Sequence, residues 1–326
     1  MSADLAVTVA GLRLKNPVIA GSGEATASSE DISACLAAGA AAVVAKSVNE
    51  SAAARAQLRA AEYVVLDAEL AARPLGPASR TDSLFCRSGL LDVDLAEWIA
   101  ALAALDREAG DAYVVPSLIV ADVDEAVRLA RLCAAEGLRW LELNVGAPHA
   151  EEASPGAIAT GVELVARVRS AISIPLTVKL RAGDSVADAL AAGADAVCLA
   201  TRAMAFVPDL ETRRPVLGTF AAIGGAWALP LTLREVAKAH LAAPTASIVG
   251  TNGARDGYDV ARFLLAGASA VAMTSAVITE GPGVLTQSIA QLDQYCTEQG
   301  VAARELIGEA TRHVHTYEEV AIERRL

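Results

Sequence analysis

"AAGADAVCLAT" (residues 191–201) is the stretch on which the reading of the fold turns. It compresses a helix end, a glycine, a short turn and an unbroken apolar run. The same scheme recurs as "AAGAAAVVAKS" (37–47), "AEGLRWLELNV" (135–145) and "LAGASAVAMTS" (265–275). In each, the glycine suits the position just past a helix, where a left-handed backbone closes the last turn. The run after it is apolar throughout rather than alternating, as in a strand covered on both faces. Further strand candidates are 17–21, 113–119, 175–180 and 246–250, so the eight runs become 17–21, 41–47, 113–119, 139–145, 175–180, 195–200, 246–250 and 269–275. Helix-compatible stretches follow, among them 123–137, 232–243 and 257–267. Eight such units over a chain of 326 residues predict a single-domain (β/α)8 TIM barrel, in the α/β class. A doubly wound open sheet is the rival, but no GxGxxG fingerprint follows an early strand. Residues 5–16 read as a hairpin plugging the barrel bottom.

Composition narrows the function. Hydrophobic residues make up 54% and charged residues 20%, so a large core is available, built mostly from Ala, Val and Leu because aromatics are only 4%. The net charge of -12 and the lack of a basic cluster argue against a nucleic-acid partner. No apolar stretch reaches membrane-spanning length and no secretory signal pattern opens the chain, so a soluble cytoplasmic protein is expected. The five cysteines are scattered, with no zinc or iron–sulfur spacing, and no metal site is expected.

Function in a barrel sits where strands end. The strand ends here carry Gly21, Ser22 and Gly23; Lys46 and Ser47; Asn144; Lys179; Gly250, Asn252 and Gly253; and Thr274 and Ser275. "AIGGAW" adds Gly224 and Gly225. Two lysines closing apolar strands are costly unless they meet an anion or polar ligand. Glycines after the seventh strand and hydroxyls after the eighth let backbone N–H groups cradle a phosphate. A flavin mononucleotide (FMN) needs both features, a phosphate cradle and a cation near its ring. Two long connections, 48–92 and 201–231, leave strand C-terminal ends and are expected to act as lids or substrate walls.

The segments "NPVIAGSG", "AAVVAKSV", "LELNVGAPH", "PLTVKL", "GGAWALPLTLREV", "IVGTNGARDGYDVARFLLAGASAVAMTSA" and "YCTEQGVAARELIGEA" resemble, in order and over nearly the whole chain, the dihydroorotate dehydrogenase family, soluble class 1. The "APH" ending is similar to its dihydropyrimidine dehydrogenase branch. The resemblance implies an FMN-binding barrel that oxidises or reduces a ring C–C bond beside a carbonyl, most often as a homodimer and sometimes with a separate electron-transfer subunit. It places Gly21, Ser22 and Gly23 under the flavin, Lys46 and Ser47 at the ring, Lys179 near its N1–C2 edge, and Gly224, Gly225, Gly250 and Gly253 around the phosphate. Asn252 and Thr274 stand where glycine is usual.

The substrate positions implied by the resemblance are largely changed. Asn144 matches a substrate-holding asparagine, and Thr201 fits a neighbouring hydroxyl position. Ala147 stands where the family's catalytic cysteine belongs, and Cys86, Asp92 and Ala200 stand where it has asparagines. Losing a general base typically costs about 10²–10⁴ in rate, so a changed substrate or reaction is expected. Candidates for proton transfer are His149, Cys86 and Lys46. Glu151 and Glu152 read as surface acids. Asp92 reads either as a substrate contact for a cationic group or as the cap of a helix over 93–106. The expected function is an FMN-dependent dehydrogenase or reductase acting on a C=C or C–N bond next to a carbonyl. Its alternatives are a non-catalytic flavin-binding partner subunit and a barrel for another phosphorylated ligand.

Overall fold

The structure, a computed structural model, describes residues 2–120, 122–145, 161–181, 183–200 and 203–315. The chain opens with a hairpin of β1 (Val7–Val9) and β2 (Leu12–Leu14). Its two-residue turn has positive φ at both Ala10 (51°) and Gly11 (78°), the geometry that matches the twist of paired strands. Ala10 N–H donates to Ser247 Oγ at 3.1 Å, at the start of a barrel strand, so the hairpin sits at the barrel's N-terminal end as expected.

The barrel strands are β3 (Val18–Ala20), β4 (Ala42–Val44), β8 (Tyr113–Val115), β9 (Ser117–Leu118), β10 (Leu141–Asn144), β11 (Leu176–Leu180), β12 (Ala196–Ala200), β15 (Ser247–Thr251) and β16 (Ala270–Met273). They pair in parallel in the order β8-β4-β3-β16-β15-β12-β11-β10-β9. The two end strands are halves of one stave, parted at Pro116, which has no N–H to give. Pro116 O still accepts from Glu142 N at 2.9 Å, so the ring is closed as eight staves. Each run read from sequence forms a stave, and the core between staves and helices is mostly Val, Leu, Ile and Ala.

The recurrent glycines work as expected. Gly39, Gly137, Gly193 and Gly267 have φ of 97°, 87°, 104° and 105°, closing the helices before β4, β10, β12 and β16. Helix starts are fixed by side chains accepting from orphan backbone N–H groups: Ser28, Ser51, Asp94, Asp122, Ser185 and Asp256.

The long connections hold more structure than the sequence reading gave them. They build a five-stranded antiparallel sheet over the barrel mouth from β5 (Glu62–Leu66), β6 (Ala72–Pro74), β7 (Ser83–Arg87), β13 (Ala203–Ala205) and β14 (Ala221–Gly225), ordered β13-β14-β7-β5-β6. One face buries Leu66, Phe85, Val207, Leu217 and Ala221 in a small core of its own. Arg80 ties the sheet to the barrel through Asp256 and the fully buried Asp259, both at 2.9 Å, and Arg255 reaches Glu280 at 2.6 Å and Ala78 O at 2.5 Å. Among the described residues no helix is long and apolar enough to cross a membrane.

Candidate active site

The antiparallel sheet and the C-terminal ends of the staves enclose a cavity of about 400 Å³, the size of a small-molecule or cofactor site. Its barrel side is polar: Ser22, Ser47, Asn144, Lys179, Thr251 and Thr274. Its sheet side is mostly apolar, and the strand register explains why. Tyr63 pairs with Cys86, Cys86 with Ala222, and Ala222 with Met204. Paired residues of an antiparallel sheet point to one face, so this row crosses four strands and lines the cavity. Leu84, two residues from Cys86, lies on the same face.

Beneath the polar floor, hydroxyls run into the barrel. Ser22 Oγ and Ser47 Oγ are 3.3 Å apart, Ser47 Oγ and Ser117 Oγ 2.8 Å, and Ser117 donates to the buried Glu142 carboxylate at 2.7 Å. Cys198 is packed beside them. Burial, then the nearby Glu142 charge, pushes its thiol up to about 12.

One cluster was not anticipated. Glu24, in a 3-10 turn just after β3, enters the cavity with one oxygen 2.5 Å from Lys46 Nζ. Its other oxygen accepts a hydrogen bond from the Tyr63 hydroxyl of β5. The buried lysine therefore meets an anion supplied by the protein itself. Lys179, by contrast, forms no salt bridge with another described residue. The "GSGEA" segment does place an acid at a strand end; Tyr63 was missed because 48–92 was not read as strands.

Elsewhere on the cavity wall, side chains fit against glycines. Asn252 holds φ of 73°, a conformation asparagine tolerates better than most residues. Its Oδ1 would lie 2.8 Å from a Cβ added at Gly224. Thr274 leans over the first strand end, its Oγ1 2.2 Å from a Cβ added at Gly21 and its Cγ2 2.8 Å from one at Gly23.

Comparison with known proteins decides the family. The family model described as dihydroorotate dehydrogenase matches residues 84–295. The chain is 32% identical over 328 residues to the dihydroorotate dehydrogenase B (NAD(+)), catalytic subunit, of Desulforudis audaxviator, covering 96% of this chain and 99% of that protein. The chain belongs to the dihydroorotate dehydrogenase family. The protein of the same description from Thermoplasma acidophilum is 28% identical over 95% of this chain and its own full length. The dihydroorotate dehydrogenase A (fumarate) of Lactobacillus helveticus is 32% identical over 47% of this chain and 53% of its own. As a member of this family the chain is an FMN-dependent oxidoreductase acting on CH–CH groups.

With the family in hand, the candidate residues fall into groups. The cavity brings together Ser22, Gly23, Lys46, Ser47, Cys86, Asn144, Lys179, Gly224, Asn252, Thr274 and Ser275. Gly21 lies just below, on a small space of about 20 Å³ inside the barrel. Three glycines are occupied by packing instead. A Cβ at Gly225 would lie 2.8 Å from Asp82 O, one at Gly250 2.4 Å from the Phe263 ring, and one at Gly253 2.6 Å from the Leu229 backbone. Asp92 is not on the cavity wall; it faces Arg55 Nε at 3.8 Å. Nor does it cap the following helix. That helix spans Leu95–Glu108, and its cap is Asp94, whose carboxylate accepts from Ala96 N and Glu97 N. The cap moved two residues because the chain enters the helix later than the sequence suggested. His149, Thr201, Ala147, Glu151 and Glu152 lie outside the described residues.

Proposed function

We propose that this enzyme forms or reduces a C=C or C–N bond beside a carbonyl in a small planar substrate other than dihydroorotate. The observation that carries the reading is the cavity's sheet-side wall. Where the resemblance implies substrate-binding amides, the wall offers Cys86 among Leu84, Met204 and Ala222, with the Tyr63 phenol already bonded to Glu24 and Lys46 already neutralised by the same carboxylate. A charged, amide-seeking ring would leave its polar edges unpaired there, which is costly. An uncharged ring with an apolar edge suits it.

In this reading the polar floor of Ser22, Gly23, Ser47 and Asn144 holds the flavin ring, and Lys179 offsets charge at its N1 edge. Gly224, Asn252, Thr274 and Ser275 hold the ribityl phosphate end, the two polar side chains taking over hydrogen bonds that backbone groups supply where glycine stands. When bound, FMN accepts or supplies the hydride. The sheet closes over the ring and excludes water, which strengthens each polar contact inside. Asn144 orients the substrate carbonyl. All five cysteines are free and buried, which supports a reducing, cytoplasmic setting. A homodimer is the assembly we infer. The Desulforudis relative is named a catalytic subunit, which supports a separate subunit taking the electrons.

The test is anaerobic mixing of the FMN-loaded protein with dihydroorotate and with a panel of dihydropyrimidines, cyclic amides and cyclic enones. Bleaching or reoxidation of the flavin by panel members, with dihydroorotate slower by at least on the order of 100-fold, supports the reading. Fast bleaching by dihydroorotate refutes it.

A further inference from the structure

The residue at 147 is alanine and cannot carry a proton. A group elsewhere on the cavity must, if the reaction breaks a C–H bond next to a carbonyl. We propose that Tyr63, hydrogen-bonded to Glu24, is that group. The inference rests on the function proposed above.

Three features single out Tyr63. Tyr63 and Glu24 both line the cavity, the phenol on one oxygen of the carboxylate and Lys46 on the other. Both carboxylate oxygens are thus engaged, one by a cation and one by the phenol. Tyr63 also sits on a strand in register with Cys86 of β7, so the phenol is carried by a paired sheet rather than a free loop. Finally, the phenol donates its own proton to Glu24, which leaves its oxygen lone pairs for a proton arriving from the cavity. Lys46 is held by the same carboxylate, and Arg181 on the wall stays protonated at any working pH. Among the described residues, Cys86, one strand over, is the remaining rival.

Oxidation couples loss of a proton to loss of a hydride. The carbon beside the carbonyl gives its proton to Tyr63 Oη. Tyr63's original proton passes to Glu24. The C–H electron pair becomes the new π bond as the neighbouring carbon releases hydride, for which the family's flavin is the oxidant. In reduction the proton returns from Glu24 through Tyr63 to carbon. Glu24 is a positioning and relay residue; Tyr63 is the catalytic one.

The experiment uses the full chain and its Tyr63→Phe, Glu24→Gln and Cys86→Ser variants. Two rates are read: anaerobic flavin reduction by the panel compound fastest with the wild type, and deuterium uptake at the carbon beside the carbonyl of dihydrouracil, followed by NMR in D2O with FMN bound. FMN affinity is measured alongside. Tyr63→Phe should lose about 100-fold or more in both rates, as for removal of a general base, with FMN affinity unchanged. Glu24→Gln should lose both rates to a smaller degree. Wild-type rates in Tyr63→Phe overturn the relay and leave the function standing; a loss confined to Cys86→Ser assigns the step to the thiol instead. FMN affinity falling together with the rates in Tyr63→Phe reduces Tyr63 to a wall anchor and also overturns it. A wild type that binds FMN yet neither reacts with the panel nor exchanges dihydrouracil overturns the function itself.

Discussion

Glu24 Oε1 stands 2.5 Å from Lys46 Nζ, inside the cavity and with the lysine side chain only 10% exposed. The lysine that the sequence pattern set at the flavin ring is here paired with a neighbouring carboxylate. Replacing Glu24 by Gln keeps the shape and removes the charge. The variant should bind an anionic ring such as orotate more tightly, by on the order of tenfold, while a neutral ring of the same size changes little. Flavin-spectral titration of both ligands against both proteins checks this. Equal orotate affinity in the two proteins would show that Lys46 does not face the ligand.

Asn252 and Gly224 form a matched pair. Adding a methyl at Gly224 brings it to 2.8 Å from Asn252 Oδ1 and pushes that side chain toward the cavity. Gly224→Ala should weaken FMN binding with little change in melting temperature. Gly253→Ala should do the reverse. It combines φ of 112° with a 2.6 Å clash against the Leu229 backbone, so a loss of more than about 1 kcal/mol in folding stability is expected. Fluorescence titration and thermal melts separate the two effects.

His240 gives the fold a pH dependence. Its ring packs against Gly267 and Gly308, and its Nδ1 is buried with no hydrogen-bond partner among the described residues. Burial, then the nearby Arg312 charge, holds its pKa below the ordinary value of 6.5. The neutral form is the one the fold favours. Its contribution is complete above pH 6.5 and is lost as pH falls through the lower folded value. Melting temperature should therefore drop on acidification through this range, and His240→Leu should flatten that drop. A parallel pH profile in the variant would rule His240 out as the source.

Cysteine labelling should be selective. Burial raises Cys35 to about 11 and Cys133 and Cys198 to about 12, so these thiols stay protonated and inert at neutral pH. Cys86 is the cysteine on the main cavity wall. In the folded protein a small alkylating agent should modify Cys86 first, and FMN should slow it. Peptide mapping by mass spectrometry reads both; modification of Cys133 or Cys198 at a comparable rate would contradict the packing described.

The barrel was legible because its signals are local. A glycine at a helix end followed by an apolar run needs no distant partner to be recognised, and Gly39, Gly137, Gly193 and Gly267 each stand where that pattern puts them. The polar floor was legible too, since Ser22, Ser47, Asn144 and Lys179 end those same strands. The covering sheet was not. Its strands lie far apart in the chain, and "EYVVL" (62–66) and "SLFCR" (83–87) face a small core on one side and the cavity on the other. Their pairing, and so the meeting of Tyr63 with Glu24, depends on contacts between segments that no local pattern announces. Asp92 shows the same limit at short range: two acids near a helix start look alike until the backbone chooses Asp94.

The most direct test is titration of the flavin-free protein with FMN, followed by quenching of flavin fluorescence. Saturable binding of one FMN per chain is expected, lost or strongly weakened by Lys179→Ala and kept by Asp92→Ala. Failure of the folded wild-type protein to bind FMN, or an unaltered affinity in Lys179→Ala, would contradict the assignment of this cavity.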